Sequence, residues 1–217
     1  MYKIVEIFDS IEGEGARSGM TATFIRFAGC NMRCFYCDTT YALFSEPTPC
    51  HFTEMTAEQI MNKIHFQRVT LTGGEPLCQP DIKTIINDLD TRGIEINVET
   101  NGSFDVSGFR TPHTFFTIDY KLPSSGMERH MRLSTFLNLE AKDVIKFVIG
   151  NNEDITRTIQ VISEIQSHYL PHHMPSVYLG AVAESFSPRL LAQAMLSRPE
   201  LKDTRLQVQL HKVINVQ

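Results

Sequence analysis

The feature that most constrains the fold is a repeated alternation of short apolar, β-branched runs with amphipathic helical patterns. The apolar runs predict strands at 2–7, 21–27, 68–71, 95–99, 114–119, 144–149, 177–182 and 206–213. The helical patterns lie at 57–65, 81–91, 155–168 and 188–197. Strands joined by helical crossovers form parallel sheets, so we expect an α/β fold.

Two further properties of this pattern refine the expected fold. The stretches between 101 and 114 and after 120 are rich in loop residues, so some crossover helices should be short or missing. The strands read as near-continuous apolar runs, which predicts a sheet that is covered on both faces.

Residues able to do chemistry follow four successive predicted strands. Cys30, Cys34 and Cys37 follow the strand at 21–27, and Gly73-Gly74-Glu75 follows the next. Thr100-Asn101 and Lys121 come after the third and fourth. In parallel α/β folds, binding sites form where the carboxyl ends of strands meet, so these residues should converge.

The three cysteines have the spacing C-x3-C-x2-C. Three thiolates at this spacing can bind three irons of a [4Fe–4S] cluster and leave the fourth iron without a protein ligand. Clusters that only transfer electrons usually have four cysteine ligands. An iron left open can bind a substrate or a cofactor, so the triplet indicates catalysis.

Two other kinds of cysteine site fit the sequence less well. A structural zinc site usually needs four Cys or His ligands, often in two close pairs, whereas Cys50 and Cys78 are isolated. A disulfide framework is typical of short secreted chains, and this chain has 217 residues without a signal peptide. We expect Cys50 and Cys78 to be small buried apolar residues.

Composition limits the classes of partner. The net charge is −5, and no Lys/Arg run resembles a nucleic-acid footprint. No apolar run approaches the roughly 20 residues needed to span a bilayer, so no membrane contact is expected. Unpaired cysteines together with a cluster motif favour the reducing cytoplasm.

The cysteine triplet followed by Gly73-Gly74-Glu75-Pro76 resembles the radical S-adenosylmethionine (SAM) enzymes. Segments spread over nearly the whole chain resemble one of their families, the 7-carboxy-7-deazaguanine synthases: Glu6–Gly15, Phe24–Cys30, Cys37–Thr39, Glu99–Gly102, Asp119–Ser125 and Leu210–Lys212. The resemblance implies a partial (β/α)6 barrel of the radical SAM type. It also implies one domain, 1–217, with strand extensions at both ends.

The resemblance further implies a reaction and its cofactors. A [4Fe–4S] cluster on Cys30, Cys34 and Cys37, with SAM, would convert 6-carboxy-5,6,7,8-tetrahydropterin to 7-carboxy-7-deazaguanine with loss of ammonia. The product would feed deazapurine nucleosides such as queuosine in tRNA. Contacts with SAM would come from Tyr36, Cys37, Asp38, Gly73, Gly74, Glu75, Asp119, Tyr120 and Lys121.

Substrate and magnesium contacts are implied in the same way, at Ile11, Glu12, Gly13, Arg26, Thr72 and Gln217 for the substrate and Thr39 for Mg²⁺. Arg26 is a charged residue in an apolar strand, and its planar fork suits a carboxylate. Glu12 stands where the family usually has glutamine; an ionised carboxylate only accepts hydrogen bonds. Thr39 offers the hard oxygen that Mg²⁺ prefers.

Partners and alternatives complete the expectations. The resemblance implies a reducing partner such as flavodoxin or ferredoxin, and a homodimer. One alternative is a radical SAM activase that generates a glycyl radical on a partner protein. Another is a metal or redox sensor without enzymatic activity, in which Gly73-Gly74-Glu75-Pro76 would have no role.

Overall fold

The computed structural model describes residues 1–44, 49–170, 173–182 and 185–216. Its strands are β1 (Tyr2–Ile11), β2 (Thr21–Phe27), β3 (Thr53–Met55), β4 (Arg68–Gly73), β5 (Glu95–Thr100), β6 (Thr114–Tyr120), β7 (Val144–Ile149), β8 (Ser176–Ala181) and β9 (Arg205–Gln207). Its α-helices are α1 (Ala57–Met61), α2 (Ile82–Thr91), α3 (Leu133–Leu137), α4 (Asn152–Gln166), α5 (Pro188–Ser197) and α6 (Leu210–Val213). None of these described helices is long and apolar enough to cross a membrane.

All nine strands belong to one open sheet with the order β3-β1-β2-β4-β5-β6-β7-β8-β9. From β2 to β9 every neighbouring pair is parallel, whereas β1 runs antiparallel to both β2 and β3. The expected partial barrel is confirmed. So are the missing crossover helices: only a 3-10 turn at Ser107–Phe109 joins β5 to β6, and the five-residue α3 is the one α-helix between β6 and β7.

The two faces of the parallel strands differ in chemistry. One face carries apolar side chains such as Ile25, Leu71 and Val98, which belong to the hydrophobic core. The other face carries polar side chains such as Arg26 and Thr72, which line a cavity. The expectation of a sheet covered on both faces holds in part: residues of the polar face such as Thr70 and Asn97 are buried, but this face also opens onto the cavity. Side chains alternate between faces along a strand, and here only one face packs against the apolar core.

Helices cover the apolar face. Ile82, Ile85, Ile86 and Leu89 of α2 are buried at a helical spacing. Asn151 caps α4 by accepting a hydrogen bond from the Asp154 amide at 3.0 Å. Packing on this side leaves the strand ends and the polar face free to form a site.

The predicted last strand, 206–213, is wrong beyond Gln207. After β9 the chain makes the short helix α6, in which the Ile214 amide donates to the Leu210 carbonyl. The side chain of Gln207 accepts a hydrogen bond from the Gly15 amide at 2.8 Å, and the Leu210 amide donates to the Gly13 carbonyl. These bonds to the N-terminal loop replace strand pairing.

Candidate functional site

The polar face and the carboxyl ends of the strands enclose a cavity of about 470 Å³. Most of the residues that the sequence predicted for cofactor, substrate or metal line it: Ile11, Glu12, Gly13, Arg26, Cys30, Cys34, Tyr36, Cys37, Asp38, Thr39, Thr72, Gly73, Gly74, Asp119 and Lys121. These residues come from five segments of the chain. The register of the parallel strands is what brings them together.

Three predicted residues are not placed in this cavity. Glu75 is completely buried, and its carboxylate accepts hydrogen bonds within the chain instead of facing the cavity. Tyr120 packs against Phe136 and Phe147 in the core. Gln217 lies outside the residues that the structure describes.

The glycine pair contacts the cysteine loop through its backbone. The Gly74 amide donates to the Phe27 carbonyl at 3.0 Å, and the Glu75 amide donates to the Gly29 carbonyl at 2.8 Å. Gly73 has a φ of +134°, and a Cβ on it would lie 2.2 Å from the Phe27 oxygen. The close approach of the two segments therefore requires residues without side chains.

Glu75 supports the first cysteine indirectly. Its carboxylate accepts hydrogen bonds from the Thr100 hydroxyl and the Asn101 amide, both at 2.7 Å. The Asn101 side chain in turn lies 3.7 Å from the Cys30 sulfur. Burial raises the pKa of Glu75 to about 7, although these hydrogen bonds oppose the shift. Glu75 thus fixes the position of Asn101 beside Cys30.

The thiols form a donor set suited to iron. Cys30, Cys34 and Cys37 are half-buried, unpaired and face the same cavity. The Cys30 sulfur accepts a hydrogen bond from the Met32 amide at 3.4 Å. Burial raises the pKa values of Cys30 and Cys34, so their thiolates need a cation to compensate the charge. An iron–sulfur cluster supplies such positive charge. By contrast, Cys78 is exposed, so its expected burial is wrong.

Arg26 occupies one side of the cavity. Its Nε donates to Glu6 at 2.8 Å, and its guanidinium carbon lies 5.7 Å from the Phe8 ring and 5.8 Å from the Tyr41 ring. The aromatic rings and the ion pair hold the guanidinium in place. A fixed planar fork can bind a carboxylate with two parallel hydrogen bonds.

Two carboxyl groups line the cavity near Arg26. Glu12 is fully buried and accepts a hydrogen bond from the Thr70 hydroxyl. Glu99 accepts one from the Thr72 hydroxyl at 2.8 Å. Burial and the charge of Glu99 raise the pKa of Glu12 to about 7. Glu12 can therefore carry a proton and donate a hydrogen bond, as a glutamine amide would.

A network of buried charges that the sequence reading missed occupies the cavity wall. Lys146 lies 2.5 Å from Glu14 and 3.5 Å from Asp119, and Asp119 also pairs with Lys121 at 2.9 Å. Burial alone would lower the pKa of Lys146, but the carboxylates raise it well above its usual value. Lys146 could have been recognised in the sequence, because it is a charged residue inside the apolar run of β7, as Arg26 is in β2.

A second missed feature is the C-terminal segment, residues 207–212, which closes the cavity. Gln209 donates to Glu14 at 2.8 Å, and Lys212 lies 3.1 Å from Asp38. A Cβ on Gly13 would lie 1.8 Å from Nδ1 of His211, so the loop and this segment fit only with glycine there. The segment thereby connects the loop at Glu12–Glu14 with the cysteine loop.

Sequence comparisons agree with this geometry. A family model described as the radical SAM superfamily matches residues 24–108. A 7-carboxy-7-deazaguanine synthase of Clostridium acetobutylicum is 40% identical, over 98% of this chain and 96% of the relative. A synthase of the same name from Methanospirillum hungatei is 34% identical, over 99% and 86%. The chain belongs to the 7-carboxy-7-deazaguanine synthase family.

Solved structures agree with this assignment at the level of the fold. The crystal structure of QueE from Escherichia coli matches with a TM-score of 0.73 and 23% identity, over 97% of this chain and 94% of that one. Streptococcus suis SuiB bound to S-adenosylmethionine matches with a TM-score of 0.54 and 13% identity, over 82% and 44%.

Membership of the 7-carboxy-7-deazaguanine synthase family makes this chain a radical SAM lyase. Radical SAM chemistry implies a [4Fe–4S] cluster and SAM, and the three thiols facing the cavity fit that cluster. Because the synthase relatives match over nearly the whole chain, the activase alternative is not favoured.

The raised pKa of Glu12 leads to a first prediction. Its protonated form stabilises the fold fully below pH 4.5, and that contribution is lost as the pH rises through about 7. Glu12→Gln removes this loss, so it should raise the free energy of unfolding at pH 8 by up to roughly 3 kcal/mol. At pH 5 the substitution should change the free energy of unfolding little. Urea unfolding at both values measures the effect, and an equal change at pH 5 and pH 8 would contradict it.

Proposed function

We propose that this chain converts 6-carboxy-5,6,7,8-tetrahydropterin to 7-carboxy-7-deazaguanine by contracting the pyrazine ring and releasing ammonia. One observation carries the proposal. A single polar cavity combines three free thiols, a glycine pair, a fixed arginine and two carboxyl groups. The loss of one NH3 accounts for the difference between substrate and product, so no net oxidant is required.

The thiol side of the cavity is proposed to hold the cofactors. Cys30, Cys34 and Cys37 would bind three irons, and bound SAM and the cluster supply the one-electron chemistry that removes a hydrogen atom from the substrate. Gly73 and Gly74 lack Cβ atoms, which lets backbone groups approach SAM closely. Asp119 and Lys121 are oppositely charged and suit the amino and carboxylate groups of SAM.

The opposite side is proposed to hold the pterin. The fork of Arg26 binds the substrate carboxylate. Glu12 and Glu99 face the pyrimidine edge, whose N–H groups need acceptors. Ile11, Gly13 and Thr72 shape the pocket around the ring.

Arg26→Lys should weaken pterin binding by about 10- to 100-fold, since a lysine cannot make the paired hydrogen bonds of a guanidinium. Arg26→Ala should weaken the binding further, by about 2–5 kcal/mol of binding free energy. Equilibrium binding of the pterin without reductant measures both. Arg205→Ala is the matched control, because Arg205 also lies against an aromatic ring, that of Tyr178, outside the cavity. Unchanged affinity in both Arg26 variants would remove Arg26 from the substrate site.

We also propose a Mg²⁺ contact at Thr39. Its hydroxyl donates to Asp38 at 3.0 Å and faces the cavity. Mg²⁺ keeps several waters, so one hydroxyl and substrate oxygens can complete its coordination.

Thr39→Val keeps the shape of the side chain and removes the oxygen. Turnover in this variant should lose its dependence on Mg²⁺, whereas Thr39→Ser should keep it. A magnesium titration of the initial rate distinguishes them. If Thr39→Val responds to Mg²⁺ like the unmodified chain, the Thr39 hydroxyl serves only its local hydrogen bond to Asp38.

The remaining expectations concern the cellular setting. We propose that the enzyme acts in the cytoplasm as a homodimer and receives electrons from a flavodoxin or ferredoxin. Its product is proposed to enter the synthesis of deazapurine nucleosides such as queuosine.

Anaerobic turnover tests the proposed reaction. The reconstituted protein is mixed with SAM, Mg²⁺, dithionite and 6-carboxytetrahydropterin, and the products are analysed by mass spectrometry. We expect 7-carboxy-7-deazaguanine and ammonia. Cleavage of SAM without that product would contradict the proposed substrate and reopen the activase alternative.

A further inference from the structure

Arg17 is a buried cation in the loop after β1, and it lies at the end of the sheet where the parallel strands begin. Its guanidinium carbon lies 3.5 Å from the centre of the Phe115 ring, and the guanidinium pairs with Glu95, the first residue of β5. Glu95 also pairs with Arg68, the first residue of β4, at 3.4 Å. The Arg17 side chain is only 11% exposed. Burial of a cation is costly, so its neighbours indicate what the charge does.

Backbone hydrogen bonds close the loop that connects Glu12 with Arg17. The Glu12 amide donates to the Met20 carbonyl at 2.7 Å, and the Gly19 amide donates to the Glu12 carbonyl at 2.8 Å. The Met20 amide donates to the Arg17 carbonyl at 2.9 Å. The loop is therefore a compact unit in which the backbones of Glu12 and Arg17 are fixed relative to each other.

The side chains of Glu12 and Arg17 contact neighbouring rows of the same two strands. Arg17 pairs with Glu95, whose partner in the β4–β5 register is Arg68. Glu12 accepts a hydrogen bond from Thr70, which is two residues further along β4 than Arg68. Residues two positions apart on a strand share a face and are about 7 Å apart. The guanidinium and the Glu12 carboxyl therefore lie on the same face, one row apart.

Two charges of opposite sign act on the Glu12 carboxyl. Glu99 on β5 raises the pKa of Glu12, and Arg17 lowers it. The other side chains that hydrogen-bond this carboxyl, Thr70 of β4 and Asn97 of β5, are uncharged. Nη1 of Arg17 is buried and has no hydrogen-bond partner among the residues that the structure describes. That edge of the cation is thus free to act on Glu12.

Other titratable groups near the loop act on Glu14 instead. His211 lies against Gly13, and the largest charge effect on its imidazole comes from Glu14. Lys146 pairs with the Glu14 carboxylate at 2.5 Å. Arg17 is therefore the cation that offsets the like charge of Glu99 at Glu12.

We infer that Arg17 is a positioning residue for the pterin site, which favours the ionised form of Glu12 so that its carboxylate accepts N–H groups of the pyrimidine edge. The inference rests on the proposed function, because that proposal assigns Glu12 to this edge. An ionised carboxylate accepts hydrogen bonds at both oxygens, whereas a protonated one has lost an acceptor and gained a donor. Without the cation, the nearby carboxylate of Glu99 keeps the proton on Glu12.

A distinct pH dependence of pterin binding follows from this role. The pKa of Glu12 is about 7, so the affinity of the unmodified chain should rise about tenfold between pH 6 and pH 8. Removal of the Arg17 cation destabilises the ionised carboxylate and should raise that pKa by about one pH unit. Arg17→Met should therefore bind the pterin about tenfold more weakly at pH 6 but only about twofold more weakly at pH 8. Equilibrium binding of 6-carboxytetrahydropterin to the reconstituted enzyme with SAM, without reductant, measures both.

Two further variants separate charge from shape. Arg17→Lys keeps the cation and should keep the pH dependence of the unmodified chain. Arg68→Met removes a cation that pairs with the same Glu95, but the Arg68 side chain is 35% exposed and its charge is screened by water, so binding should not change. Arg17→Met leaves no buried carboxylate unpaired, because Glu95 is 47% exposed and keeps Arg68.

A second background tests whether Arg17 acts through Glu12. In Glu12→Gln the side chain at position 12 does not titrate, so adding Arg17→Met should cause no pH-dependent loss of pterin affinity. A loss of equal size at pH 6 and pH 8 in both backgrounds would show that Arg17 only holds the loop, and it would overturn the inference.

A titration without pterin separates this inference from the proposed function. The chain is labelled with carboxyl-¹³C glutamate, and the Glu12 resonance is identified by its absence from Glu12→Gln. Its midpoint pH should be higher in Arg17→Met than in the unmodified chain, and an unchanged midpoint would overturn the inference. Failure of the unmodified chain to bind the pterin at any pH would refute the proposed substrate, while the titration would still decide whether Arg17 controls the charge of Glu12.

Discussion

Gly74→Ala is expected to destabilise the chain by about 3 kcal/mol and to prevent assembly of a working cofactor site. An added Cβ would lie 2.1 Å from the Gly29 carbonyl oxygen and 3.0 Å from the Cβ of Cys30. Neither neighbour is the flexible end of a side chain. The backbone before Cys30 must therefore move, and a displacement of about 1 Å at a reacting centre costs roughly 100-fold in rate.

Gly108→Ala is the matched control for this substitution. Nothing lies within 4 Å of the position that its Cβ would take. Urea unfolding measures stability, and iron content with SAM binding measures the site. Gly74→Ala should lower the stability and should also reduce iron content and SAM binding. Gly108→Ala should leave all three unchanged. If Gly74→Ala binds iron and SAM normally, the close approach of the glycine pair to the cysteine loop is not required.

Lys146→Met is expected to lower the free energy of unfolding by about 3–5 kcal/mol at pH 8. The ammonium of Lys146 lies between Glu14 and Asp119, and its side chain is only 12% exposed. Removing it leaves two buried carboxylates that face each other without a shared cation. Burial alone would raise the pKa of Asp119, but Lys121 and Lys146 hold it below its usual value.

The pH dependence of the Lys146 variant follows from this. A carboxylate with a lowered pKa contributes stability that is present at high pH and lost on acidification. In Lys146→Met much of that contribution is already gone, so the difference from the unmodified chain should shrink as acidification below pH 3.8 protonates Asp119. Lys142→Met is the control, since its ion pair with Glu140 is exposed and should contribute less than about 1 kcal/mol. Equal losses in both variants would contradict the assigned role of Lys146.

The strand positions could be predicted because their β-branched runs are short and end at glycine or polar residues. The run 144–149 matches β7 at both ends. The burial of the two faces could not be predicted in the same way. Threonine is favoured in strands although it is polar, so residues such as Thr70 and Thr72 do not interrupt the strand pattern. The sequence pattern therefore does not reveal that alternate residues face the cavity.

Most side chains of the candidate site could be predicted because two signals agree. One is the resemblance to the family, and the other is the location of these residues at the ends of predicted strands. Glu75 shows the limit of that inference, since a glutamate beside a glycine pair gives no sign of where its carboxylate points. The C-terminal segment was missed for another reason. The alternating residues Leu206 and Val208 predict a continuing strand, but only Leu206 lies in β9, and contacts with Gly13 and Gly15 determine the path of the segment.

The bond between the Gly15 amide and Gln207 joins residues 192 positions apart, and Glu14–Gln209 joins residues 195 apart. At 5–20 residues per second, the ribosome takes roughly 10–40 s to make the second partner after the first. During that interval the cysteines have been synthesised, but the cavity has no closing segment. Closure of the pocket therefore cannot precede synthesis of nearly the whole chain.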